Sequence, residues 1–326
     1  MTLFWTAALA LTTVLYVLLD GFDLGVGMVF GLTRSEADRR TMLATISPVW
    51  DGNETWLILT GTILFGAFPH AYAMLLSTFY VPLIAMLGAL ILRGVAFEFR
   101  YKAIGARWVW DASLAGGSLM AAFMQGAAIG ALAVGLRQQG AQYAAGPFDW
   151  LSPFTCLCGV ALCLGYVLLG LGWIVGKSEG SLQARARQRM RVISISVAGL
   201  LLFQLAYSLH LHLQIFTRWA ERPYLSAFPI IGIVAAGILM WGSRSHYGFR
   251  SFALVAIIFV AAFGTFLASF WPYIIPFSMT ITQAAAPAES LRFMFWGSGL
   301  VVLPLTLVYT ATVYRVFRGK VLAGSE

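Results

Sequence analysis

An all-α polytopic membrane protein is the fold class this sequence predicts, and three observations carry that expectation. Stretches free of Asp, Glu, Lys and Arg run over 1–19, 55–92, 112–136, 150–176, 192–217, 223–243, 251–288 and 293–314. About 20 apolar residues suffice to cross a bilayer as a helix. Charged residues make up 10% of the 326, against roughly 25% in soluble domains. Finally, Lys and Arg alternate strongly from one connection to the next. Lipid offers no hydrogen bonds to an open backbone, so the spans must be helical. Residues 1–326 read as a single integral membrane domain.

The first run lacks a basic leader and a small-residue cleavage site, so it reads as a retained first helix. Run 55–92 would give a helix of about 57 Å at 1.5 Å per residue. It must break, and "FPHAY" around Pro69 and His70 supplies the hairpin. Run 251–288 ends its helix near Trp271, where Pro272, Pro276 and "TITQAAAP" follow. The expectation is nine transmembrane helices, centred near 15, 59, 84, 123, 163, 204, 233, 261 and 304. Counted by alternate connections, 17 Lys and Arg lie on one side. Only Arg137, Arg218, Arg222 and Arg292 lie on the other. That bias places the C-terminus in the cytoplasm and the N-terminus outside. It also accounts for the net charge of +8 without nucleic acid.

Against this apolar background the acids stand out. "YVLLDGFDLGVG" puts Asp20 and Asp23 inside the first helix, three apart and so on one face. An acid at a helix centre costs roughly 2.5–3.5 kcal/mol on insertion scales, so it must face protein or water. Gly21, Gly25, Gly27 and Gly31 are expected to admit a closely packed helix, or a second subunit. In "SPVWDGNETW", Ser47 and Pro48 predict a helix start, with Asp51 and Glu54 in its first two turns. Both acid pairs should lie at similar depth. Arg93 in "LRGVAFEFRYK" is placed to pair with one of them, whereas Glu98, Arg100 and Lys102 should be solvated or snorkelling. Asp111 reads as an N-cap. Structural hydrogen bonding between helices would explain one such acid; two pairs favour a proton or ion path.

No redox centre or metal site is expected. Cys156, Cys158 and Cys163 share one span with no His, Asp or Glu near them in sequence. His70 falls in an outer turn, His246 in a loop, and His210 and His212 point to different faces of one helix. None suits a haem ligand.

In this order, "DGFDLGVG", "PVWDGNETWL" and "LRGVAFEFR" resemble subunit II of the bd-type quinol oxidases, including the cyanide-insensitive branch. These motifs span residues 16–111, and "FWPYIIPFSM" at 270–279 resembles the family's proline-containing segment after helix eight. The resemblance implies two four-helix bundles plus a peripheral helix. It implies the haem-free smaller subunit of a terminal oxidase that oxidises quinol and reduces O₂ to water in the bacterial cytoplasmic (inner) membrane. Haems of b and d type would reside in a partner, subunit I. Quinol would be the substrate of the complex, lipid would surround it, and a small single-helix accessory subunit could join it. By the same resemblance Asp20 and Asp51 relay protons, with Asp23, Glu54 and Arg93 in support. A quinone could sit in this chain as a structural lipid, contacted by Trp50 and Trp56. Two rivals stand beside it. A proton-coupled secondary transporter should show related halves, yet the acid–glycine motif has no counterpart after residue 150. A non-catalytic assembly scaffold would use the acids only for interhelical bonds.

Overall fold

The computed structural model describes residues 1–103, 105–136, 146–210, 219, 222–241 and 248–321. Arg137, Arg218, Arg244, His212 and His246, used in the topology and haem arguments, lie outside them. Helix α1 (Thr2–Gly31) leads to the short α2 (Glu36–Ile46), then α3 (Trp50–Ala67) and α4 (Pro69–Lys102). These are followed by α5 (Arg107–Val134), α6 (Pro153–Lys177) and α7 (Gly180–His210). Helices α8 (Ala227–Trp241) and α9 (Gly248–Phe270) come next, then α10 (Ala288–Met294) and α11 (Val302–Val316). Among the described residues, eight helical stretches are long and apolar enough to cross a membrane. Helix α3, at the span expected near residue 59, is less apolar because Asp51, Asn53 and Glu54 fill its first two turns.

Helices α1, α3, α4 and α5 pack around one another. Helices α6, α7, α8 and α9 form a second group, and α6 joins the groups by packing on α1 and α5. The pairing of α1 with α6 depends on two glycines. A methyl placed on Gly25 would overlap the Tyr166 carbonyl oxygen, and one on Gly170 would lie 2.5 Å from the Gly25 carbonyl carbon. Backbones in such close contact gain dispersion energy that substitutes for a hydrophobic drive absent in lipid. Gly25→Ala is expected to destabilise the protein by about 1–3 kcal/mol, the usual cost of overpacking, read as a lowered thermal midpoint in detergent. Gly21 faces Tyr166 of α6, while Gly27 and Gly31 meet Ser118 and Ala115 of α5. The glycine stripe therefore seats helices of this same chain, not a second subunit.

Two local expectations fail for identifiable reasons. Ser47 closes α2 as its C-cap, and α3 begins at Trp50 after Val49, without a side-chain cap. The extra helix α2, whose first turn carries Glu36 and Asp38, takes up the chain before it. Asp111 is not an N-cap, since α5 starts a turn earlier with Ala106 at that position. As the prolines lead one to expect, helicity stops after α9, at Phe270. Pro272 and Pro276 have no N–H to continue a helix. The chain instead turns back as a two-stranded antiparallel ribbon, Tyr273–Ile275 against Met279–Thr280, with Phe277 at φ 58°.

At the arginine-rich end of the bundle, Arg100 is buried rather than solvated. Its Nε donates to Asp111 Oδ1 at 2.5 Å and its Nη2 to Glu36 Oε2 at 2.8 Å. Arg39 Nη1 donates to the other Asp111 oxygen at 2.8 Å, and both guanidinium groups stand 5.0 Å from the Phe30 ring centre. Helices α2, α4 and α5 are thereby clamped together. Burial raises the Glu36 carboxyl pKa, but the Arg100 hydrogen bond and charge, with help from Arg40 and Arg107, outweigh this and hold it below the ordinary value. A lowered folded pKa means stabilisation that is present above the unfolded value, about 4.3, and lost as pH falls through the folded one. Glu36→Gln should therefore lower the thermal midpoint at pH 6, and the gap from wild type should shrink below pH 4.

A buried acid–arginine cluster as the candidate functional site

Phe22 sits between the two acids of α1 and fixes which way they face. Its ring stacks on Trp173 of α6, 4.1 Å between centres and 19° between planes. With Phe22 held against α6, Asp20 and Asp23 turn inward toward α3 and α4, and both are fully buried. Arg93, on α4, reaches them from the far side. Its Nη1 donates to Asp20 Oδ1 at 2.8 Å, and its Nη2 stands 4.0 Å from Asp23 Oδ2. The expected pairing of Arg93 with an acid is therefore present.

Asp23 has a neutral partner instead. Asn53 Nδ2, from α3, donates to Asp23 Oδ2 at 2.7 Å and contacts the Leu19 carbonyl at 3.2 Å. Tyr314, far along the chain on α11, donates its hydroxyl to Asn53 Oδ1 at 2.9 Å, which fixes the amide orientation. No sequence pattern links Tyr314 to Asn53; only the fold does. A second polar chain lies deeper along α1. Tyr16 Oη accepts from Gln125 Nε2 at 2.7 Å, and Tyr166 Oη donates to Gln125 Oε1 at 2.8 Å. Tyr16 lies within electrostatic reach of Asp20 and Glu54. Gln125, Tyr16 and Tyr166 carried no distinguishing signal, being ordinary polar residues in apolar helices.

The remaining acids form a graded series. Asp51 is exposed in the first turn of α3, Glu54 is half-buried one turn further in, and Asp20 and Asp23 are dry. Glu54 lies within electrostatic reach of Asp20, Arg93 and Asp51. Four buried polar atoms at the inner end, Asp20 Oδ2, Asp23 Oδ1, Arg93 Nη2 and Trp56 Nε1, have no hydrogen-bond partner in the protein. Buried polar atoms left open in this way are where internal water is held. The buried set also carries one carboxylate more than it has cations, and an unbalanced charge in a low-dielectric interior is costly. Trp56 is fully buried, whereas Trp50 is half-buried, with its ring 5.3 Å from Phe97. Among the described residues no group of three or more His, Cys, Asp or Glu could hold a metal ion. Cys158 and Cys163 are buried and Cys156 half-buried.

Comparison with known proteins is consistent along the whole chain. The family model described as cytochrome bd terminal oxidase subunit II matches residues 1–317. Cytochrome bd ubiquinol oxidase subunit 2 of Bacillus subtilis is 32% identical, over 97% of this chain and 96% of that one. Cytochrome bd-I ubiquinol oxidase subunit 2 of Escherichia coli is 28% identical, over 97% and 94% respectively. Among solved structures, a chain of the bd oxidase from Geobacillus thermodenitrificans superimposes with a TM-score of 0.79, covering 97% of this chain and 98% of that one. It shares only 16% identity, so it speaks to the fold alone.

Proposed function

This chain belongs to the cytochrome bd terminal oxidase subunit II family, and on that premise we propose that it is the haem-free smaller subunit of a quinol:O₂ oxidoreductase in the bacterial inner membrane. It crosses nine times, with α3 as one of the crossings and the arginine-rich end in the cytoplasm. A larger subunit I carries the haems and the quinol site. This subunit supports the assembly and supplies a path by which protons from the cytoplasm reach the buried site of oxygen reduction.

One observation carries this reading: the ordered burial of four carboxylates. Reduction of O₂ to water takes up protons, and these must cross a region where bare charge is costly. Ionisable side chains with bound water serve as stepping stones that an apolar helix cannot supply. Asp51 is the entrance, Glu54 the step inward, and Asp20 with Asp23 the inner station. Asp20 accepts a hydrogen bond from Arg93 and Asp23 one from the neutral amide of Asn53, so the relay acid and its supporting neighbour are held side by side. An exposed Asp51 on a helix whose exposed apolar residues include Ile58 and Phe65 suits coverage by protein better than by lipid. The partner is accordingly placed over the face formed by α3 and α4. Trp50, on this face, is available to an isoprenoid quinone held as a structural lipid, while Trp56 lines the acid cluster.

The test is purification through a tag on this chain in gentle detergent, with a reduced-minus-oxidised absorbance spectrum and mass spectrometry of what accompanies it. Haem bands travelling with a second polytopic subunit are expected. If co-expression with a candidate haem subunit still gives a haem-free chain alone, the proposal fails.

A further inference from the structure

The cleft between α1, α6 and α7 at the arginine-rich end has no part in the acid cluster. It is a cavity of about 440 Å³, within the range of small-molecule sites. Its α7 wall is one stripe of the helix, formed by Arg185, Arg189, Val192 and Ile193. These positions recur at helical spacing and so share a face. The stripe changes character along its length. Basic residues occupy the turns before 192, and the uncharged run 192–217 begins at Val192. Leu32, which caps the end of α1, and Leu171 of α6 form the opposite, apolar walls. The cleft is thus cationic at one end and apolar at the other, and the change falls where the uncharged run of α7 begins.

The two arginines differ in how they are held. Arg185 Nη2 pairs with Asp38 Oδ2 at 2.5 Å, so its charge is already matched within the chain. Arg189 is exposed and has no ion-pair partner among the described residues. No carboxylate lines the larger cavity, and Asp38 lines only the small adjoining one. The site therefore offers an unmatched guanidinium above an apolar slot, which fits a phosphate diester carrying acyl chains. Basic pockets between helices on the cytoplasmic side take such headgroups, and a guanidinium bonds phosphate oxygens through two parallel N–H groups.

We propose that the cleft between α1, α6 and α7 is a binding site for an anionic phospholipid, with its phosphate on Arg189 and an acyl chain along Val192, Ile193 and Leu171. Arg185, fixed by Asp38, positions the rim.

The test uses the protein with whatever subunits accompany it, delipidated and placed in nanodiscs of phosphatidylcholine containing graded phosphatidylglycerol. Native mass spectrometry then counts retained lipid. Wild type should keep phosphatidylglycerol in preference to phosphatidylcholine. Arg189→Gln should weaken that retention about fivefold, as expected for one basic residue at an anionic headgroup. Arg189→Lys should keep most of it. Arg191→Gln, two residues on and outside the lining, serves as the control and should have no effect. Equal losses in Arg189→Gln and Arg191→Gln would reduce the effect to general surface charge and overturn the site. So would the absence of any lipid preference in wild type, or a retained quinone in place of a phospholipid. Because Arg189 is exposed and unpaired, its replacement leaves folding intact, which a thermal midpoint within about 1 °C of wild type will show.

Discussion

Asp51→Asn is expected to slow quinol-driven O₂ uptake by at least about tenfold while leaving the haem spectrum and subunit yield unchanged. A positioned proton-transfer group commonly contributes a factor of about 10² to 10⁴, and a substitution at the entrance leaves water as a poorer substitute donor. Asp51 is exposed in the first turn of α3. Its amide analogue keeps the shape and breaks no buried pair, so a fall in rate cannot be attributed to misfolding. If protons become limiting, the variant should also show a larger solvent deuterium effect than wild type, and Asp51→Glu should recover most of the rate. Unchanged uptake in both Asp51→Asn and Asp20→Asn would remove the relay assignment. A loss confined to one of them would indicate a branched entrance.

The second large effect belongs to Arg93. Arg93→Met leaves Asp20 and Asp23, both fully buried, facing each other without a cation. Breaking a buried ion pair by removing one partner costs about 3–5 kcal/mol, a large share of the stability of an ordinary domain. The variant should therefore reach the membrane in much lower yield. The informative companion is the triple change Arg93→Met, Asp20→Asn, Asp23→Asn. Removing all three charges removes the penalty, so yield should recover. A proton path would still be lost, so O₂ uptake should stay low. A scaffold whose acids serve only to bind helices predicts the opposite for that triple variant, with yield and turnover restored together. Haem content per subunit and uptake rate, measured on the same preparation, separate the two.

The acids and the arginine named from the motifs do lie near one another, and this was legible because each motif is local. "DGFD" fixes two carboxylates on one helical face, and "WDGNET" places two more in the opening turns of α3. Arg100 shows where such reasoning stops. In sequence it is one of several charges at the end of α4, and snorkelling is the sound expectation for it. It is buried because α2, an element with no hydrophobic signature of its own, brings Glu36 across to meet it, and α5 brings Asp111. The glycines of α1 are similar. Their spacing announces a close helix contact, but nothing in it says whether the neighbour is α5, α6 or another subunit.

What the sequence by itself determined is the helical membrane architecture and the shared helical face of each acid pair, because hydropathy and helical spacing are properties of contiguous residues. What only the tertiary structure decided is the pairing. Arg93 meets Asp20 across 73 residues and Tyr314 meets Asn53 across 261. Those contacts depend on helix rotations set by Phe22 against Trp173 and by Gly25 against Gly170, and no local pattern encodes a rotation that two distant surfaces must agree on.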